Sequence, residues 1–166
     1  MRAMAAQRRS TVPSVLMHPG NLGVDHVMQY NVTLRAEHND CDPEVILSAV
    51  GLPPLIVQKK GVHWLTPNGS LSRYPGRKTR IHFEIAKSDD GDLSEEIESF
   101  CEYLSNRTTE ILNIISLGVD IDVSIGIFVV RMDGFILSIK SMKALSGLKI
   151  PIGLSLYEGD RTLVIE

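Results

Sequence analysis

The stretch VDIDVSIGIFVV, residues 119–130, decides the fold. Val119, Ile121, Val123, Ile125, Ile127 and Val129 alternate with Asp120, Asp122, Ser124, Gly126 and Phe128. Successive side chains of a strand point to opposite faces, so one face here is aliphatic and the other carries two carboxylates and a hydroxyl. A strand covered by helices on both sides would be apolar throughout. This one therefore belongs to a sheet with helices on one face and an open, wet face on the other.

The same rule recurs outward from that stretch. Met28, Tyr30, Val32, Leu34 and Ala36 alternate with Gln29, Asn31, Thr33 and Arg35. In TRIHFEIAK, residues 79–87, Ile81, Phe83 and Ile85 share one side, and Arg80, His82 and Glu84 share the other. IPIGLSLYE, residues 150–158, should turn Ile150, Ile152, Leu154 and Leu156 inward, and TLVIE, residues 162–166, is a candidate edge strand. Shorter extended pieces are expected at residues 55–60 and 62–65.

Helix punctuation separates these strands. Asp42 can cap, Pro43 suits a first helical position, Gly51 suits a stop and Pro53-Pro54 forbids continuation, which predicts a helix over residues 43–50. From Asp92, the residues Leu93, Ile97, Phe100, Leu104, Ile111 and Ile115 recur at helical spacing, with Glu95 and Glu96 in the first turns where the helix dipole favours them. The polar run Ser105–Thr109 can split this helix, and Gly118 can close it. After an Asp133-Gly134 turn, Ser138 opens a short helix ending near Gly147.

The resulting order is β-α-β-β-α-β-α-β. It predicts a two-layer α+β sandwich: a mainly antiparallel sheet with helices on one face, and a ferredoxin-like βαββαβ core plus an extra αβ unit. A length of 166 residues suits one domain, placed at residues 27–166 behind a flexible extension at 1–26. Aromatics make up 5% of the chain, so Ile, Leu and Val must fill the core.

Composition narrows the function classes. A net charge of −3 disfavours nucleic acid, whose phosphates require a basic stripe. Cys41 and Cys101 have no metal or disulfide spacing, and free thiols fit a reducing cytoplasm. No apolar run is long enough to span a membrane. The chain has no glycine-rich phosphate loop, no nucleophile elbow and no zinc-protease motif, so it implies no cofactor and no catalytic residue.

The open face is the candidate binding surface. It gathers Arg35, Arg80, His82, Glu84, Asp120, Asp122, Ser124 and Ser155, with Tyr157 near its end. Charges of both signs can pair there across strands and simply solvate the face, or they can receive a ligand or partner. Asp120 and Asp122 point to one side about 7 Å apart, and His82 could join them around a divalent cation, although no recognised metal spacing is present. The segment GVHWLTPNGSLSRYPGRKTRIHF, residues 61–83, holds the only tryptophan and a cluster of Arg73, Arg77, Lys78 and Arg80. Its prolines and glycines read as a loop between strands, with Trp64 plugging an end of the core.

The closing succession GIFVVRMDGFILSIKSMKALSGLKIPIGLSLYE resembles the bacterial family called domain of unknown function 4279. The positions that carry the resemblance are Gly134, Phe135, Leu137, Ser138 and Tyr157. They are supported by Asp42-Pro43-Glu44, Gly51-Leu52 and the acidic helix start at residues 92–96. The resemblance spans roughly residues 28–158 and implies an uncharacterised α+β domain without assigned catalytic residues. Family members carry a tryptophan where this chain has Phe83.

The functional expectation is a cytosolic, non-enzymatic interaction domain, accessory or immunity-type, whose partner is another protein or a second copy of itself. The alternative is a small-molecule or metal-ion site on the polar sheet face.

Overall fold

The computed structural model describes residues 29–66, 68–88, 92–129 and 135–158. The extension at 1–26, the Asp133-Gly134 turn and the candidate strand 162–166 lie outside the described residues. The described elements are β1 (Gln29–His38), α1 (Pro43–Val50), β2 (Ile56–Gln58), β3 (Thr79–Ser88), α2 (Leu93–Ser105), α3 (Thr108–Ser116), β4 (Asp120–Val129), α4 (Ile139–Gly147) and β5 (Ile152–Glu158). The strands form one sheet in the order β2-β3-β1-β4-β5. Every neighbouring pair is antiparallel except β4 and β5, which run parallel. The chain is thus an α+β protein with a mixed sheet.

The helices begin and end where local chemistry dictates. The Asp42 carboxylate accepts the Glu44 N–H at 3.3 Å, and Pro43 fills a position whose N–H would have no partner. At the other end Gly51 adopts φ 70° and donates its N–H to the Leu47 carbonyl at 2.8 Å, a left-handed stop that a side chain would strain. The last carbonyls of α1 are then claimed by side chains from elsewhere. Tyr103 donates its hydroxyl to the Val50 oxygen at 2.8 Å, and Arg107 reaches the Ala49 oxygen at 3.2 Å. This locks α1 to the turn that separates α2 from α3. Asp92 caps α2 through the Ser94 and Glu95 amides, and Ser138 caps α4 through the Ser141 amide.

One face of the sheet and the inner faces of all four helices share a single core. Val32, Leu34 and Ala36 of β1, Ile81 and Phe83 of β3, and Ile121 to Ile127 of β4 meet Ile46, Val50, Leu93, Ile97, Leu104, Ile111 and Leu145. Each such large aliphatic side chain contributes about 1.5–3 kcal/mol when fully withdrawn from water, so this layer dominates stability. A bulge interrupts the β1–β3 register between Val32 and Thr33: Val32 faces Ala86, Thr33 faces Glu84, and Ile85 is the extra residue. Ala86 is buried and Ile85 packs partly against the core, so β3 contributes two consecutive side chains there.

At β5 the alternation rule fails. Ile150 is buried and Ile152 packs against the core, but Leu154 and Leu156 are 52% and 67% exposed. Their spacing turns them to the helical side, yet β5 is an edge strand of the described sheet and both side chains stay open to solvent. The expectation of four inward side chains therefore holds only at its start.

Candidate functional site

The lateral order of strands assembles the polar face in rungs. Asp122 of β4, Arg35 of β1, His82 of β3 and Ile56 of β2 lie side by side. The next rung holds Asp120, Glu37, Arg80 and Gln58. Arg35 donates from Nε to Asp122 Oδ1 at 2.7 Å. Arg80 donates from Nε to Glu37, whose other oxygen lies 3.8 Å from Lys78 Nζ. Glu84 stands opposite Thr33, and Asp120 forms no ion pair among the described residues.

Electrostatics follow from these neighbours. The Arg80 hydrogen bond holds the Glu37 carboxyl below its ordinary range, assisted by the charges of Arg80, Lys78 and His82 and opposed by partial burial. His82 is pushed below the usual imidazole value, first by burial and then by the cations Arg80 and Arg35. A neutral ring sits more comfortably between two guanidinium groups than a charged one.

This order separates the groups suggested for a cation. β1 lies between β3 and β4, so His82 and the two aspartates occupy strands about 9.5 Å apart, with the Arg35 side chain between them. Among the described residues, no group of three His, Cys, Asp or Glu side chains is arranged to hold a metal. Both guanidinium groups of the ionic face are paired with carboxylates.

Its far end is aromatic. Tyr157 of β5 stacks on Phe128 of β4, with ring centroids 5.0 Å apart and planes inclined by 19°. Beside them the Gly126 N–H donates to Asn31 Oδ1 at 3.1 Å, and a Cβ on Gly126 would lie 2.4 Å from that oxygen. A side chain at Gly126 would push the Asn31 amide out of this hydrogen bond. Glu37, Asn31 and Phe128 are site residues that sequence reasoning left out. Alternation alone would have added Glu37, two positions after Arg35.

The loop joining β2 to β3 forms a second polar region. Its tip is a small hairpin in which Thr66 N–H donates to the Ser70 oxygen at 2.8 Å and Ser72 N–H to the Trp64 oxygen at 2.8 Å. The Ser72 hydroxyl receives the Trp64 N–H at 3.1 Å and donates to the Tyr74 oxygen at 2.9 Å. Gly61 and Gly76 close the base through a 2.8 Å bond. A cleft of about 520 Å³ lies between this loop and the ends of β2 and β3. Trp64 lines the cleft half-buried and is absent from the core, which overturns its expected role as a core plug.

The cysteines offer no site of their own. Both are free, and burial pushes the Cys101 thiol up, away from reactivity. No described helix is long and apolar enough to cross a membrane. Compared with protein-family models, curated proteins and solved structures, the chain finds no match, so the geometry itself carries the functional assignment.

Proposed function

We propose that this chain is a non-enzymatic protein-interaction domain that engages another protein through the open face of its sheet. One observation carries the proposal: the described helices all pack on one side, leaving an open face that is ionic at one end and aromatic at the other. Three strands of ten residues, one of seven and one of three span roughly 600 Å² of plane. That approaches the ~800 Å² that each side of an ordinary protein interface buries. Aromatics and arginines are the residues such interfaces favour. Both guanidinium groups are paired and no group of described side chains is arranged to hold a metal, whereas a protein surface can engage the whole pattern.

Within the same proposal, we read β1 to β4 as a ferredoxin-like core, supported by their lateral order 2-3-1-4, and α4–β5 as an added unit. The resemblance to the domain of unknown function 4279 family belongs to this proposal and rests on the sequence positions given above.

Affinity capture with three variants tests the interface. A partner retained by the wild type and by Lys143→Glu on α4, but lost with Arg35→Glu and with Tyr157→Ala, supports the sheet face. Retention by all three variants removes that face from the interface. Concentration-dependent sedimentation, abolished by the same two face variants, identifies the partner as a second copy.

A further inference from the structure

The cleft beside the sheet differs from the face in its charge balance. Trp64, Arg73, Tyr74, Arg77, Lys78 and Arg80 line it, and among the described residues no carboxylate does. Lys78 and Arg80 share Glu37, which stands outside the lining. Arg73 and Arg77 form no ion pair among the described residues; Arg73 instead lies 5.3 Å from the centroid of the Tyr74 ring. Cations gathered on a chain of net charge −3 concentrate a local positive potential. Tyr74 is 68% exposed, and with Trp64 and Pro75 it offers flat apolar surface beside that charge. A volume of about 520 Å³ falls within the usual range for small-molecule sites. The hairpin bonds described above hold the wall in place before any ligand arrives.

We propose that this cleft binds a free nucleoside phosphate, its phosphates against Arg73 and Arg77 and its planar base against Trp64 and Tyr74. Guanidinium groups pair with phosphate oxygens through two parallel hydrogen bonds, and aromatic rings stack on a base of any identity. Gln58, also in the lining, supplies an amide that can donate to or accept from the base edge. This site is distinct from the protein-binding face, although Arg80 borders both.

Trp64 is the only tryptophan, so its fluorescence reports on the cleft directly. The test titrates the full chain with ATP, exciting at the red edge of indole absorption. A saturable quench is expected, with the dissociation constant raised at least tenfold in Arg73→Glu/Arg77→Glu and unchanged in Lys143→Glu on α4. If the double variant loses its circular-dichroism signature, Arg77→Gln replaces it, with a severalfold weakening expected. Inorganic phosphate should bind at least tenfold more weakly than ATP. Absence of a saturable change at millimolar ATP overturns the proposal, as does a quench that the arginine variants leave intact. Phosphate binding as tightly as ATP overturns the stacking half. An oligothymidylate that binds far more tightly than ATP overturns the free nucleotide as the ligand.

Discussion

The sheet face and the loop cleft both carry arginines and aromatic rings but treat charge in opposite ways. On the face, Arg35 meets Asp122 and Arg80 meets Glu37, so each guanidinium has a carboxylate at hand. In the cleft, Arg73 and Arg77 line a cavity with no carboxylate in its wall among the described residues. Matched charge on adjacent strands fixes register and solvates a sheet, and such exposed pairs add only about 0.2–1 kcal/mol each. Unmatched charge of one sign is held at a cost in self-repulsion and is relieved when an anion arrives. Whether the charge of a basic side chain is balanced within the fold or left unmatched is decided by its neighbours rather than by its identity.

The comparison can be broken at several points. The largest effect is expected at Gly76, where a Cβ would lie 2.7 Å from the Lys59 carbonyl oxygen. Gly76→Ala should cost about 1–3 kcal/mol, concentrated in the loop. Trp64 emission should shift to longer wavelength while far-ultraviolet circular dichroism stays unchanged; an unshifted emission would mean the loop tolerates the methyl group. Next comes Glu37→Gln, which strips Arg80 and Lys78 of their shared carboxylate and makes the adjoining face resemble the cleft. Stability should fall by about 1 kcal/mol in urea titrations, while phosphate affinity at the cleft rises severalfold.

Acid should sharpen the contrast from the face alone. The folded state lowers the affinity of both His82 and Glu37 for protons, so the unfolded chain binds more of them as pH falls, and stability falls with it. The loss begins near the ordinary histidine value of 6.5 and continues below the ordinary glutamate value of 4.5. His82→Gln should remove the upper part of that decline in urea midpoints measured across the range. The smallest effect is the coupling of Arg35 with Asp122. A double-mutant cycle to alanine should give about 0.2–1 kcal/mol, decreasing with salt.

The sequence made the elements legible and left their neighbours obscure. Period-two alternation around Ile121–Ile127, the Asp42-Pro43 and Gly51 punctuation and the Ser138 cap are local signals, and the structure places strands and helices at those positions. Lateral order is not local. Nothing in the string states that β1 lies between β3 and β4, and that fact gives Arg35 to Asp122, gives Arg80 to Glu37 and separates His82 from the aspartates. Leu154 and Leu156 follow the inward pattern yet remain exposed, because burial at a sheet edge depends on how far the helical layer extends. Trp64 misled for a related reason: a large apolar ring seeks cover, and the loop wall covers half of it without the core.

The lateral order also bears on how the chain acquires its shape during vectorial synthesis. The first described strand takes the middle of the sheet, the β2–β3 pair joins one flank, β4 joins the other, and β5 arrives last at the outside. Of the described strands, β3, β4 and β5 each follow a hydrogen-bonding neighbour that precedes them in the chain, β2 waits only for the adjoining β3, and no later strand has to be inserted between two that have paired. Growth from the centre outward adds strands to edges that already exist, first on one flank of β1 and then on the other.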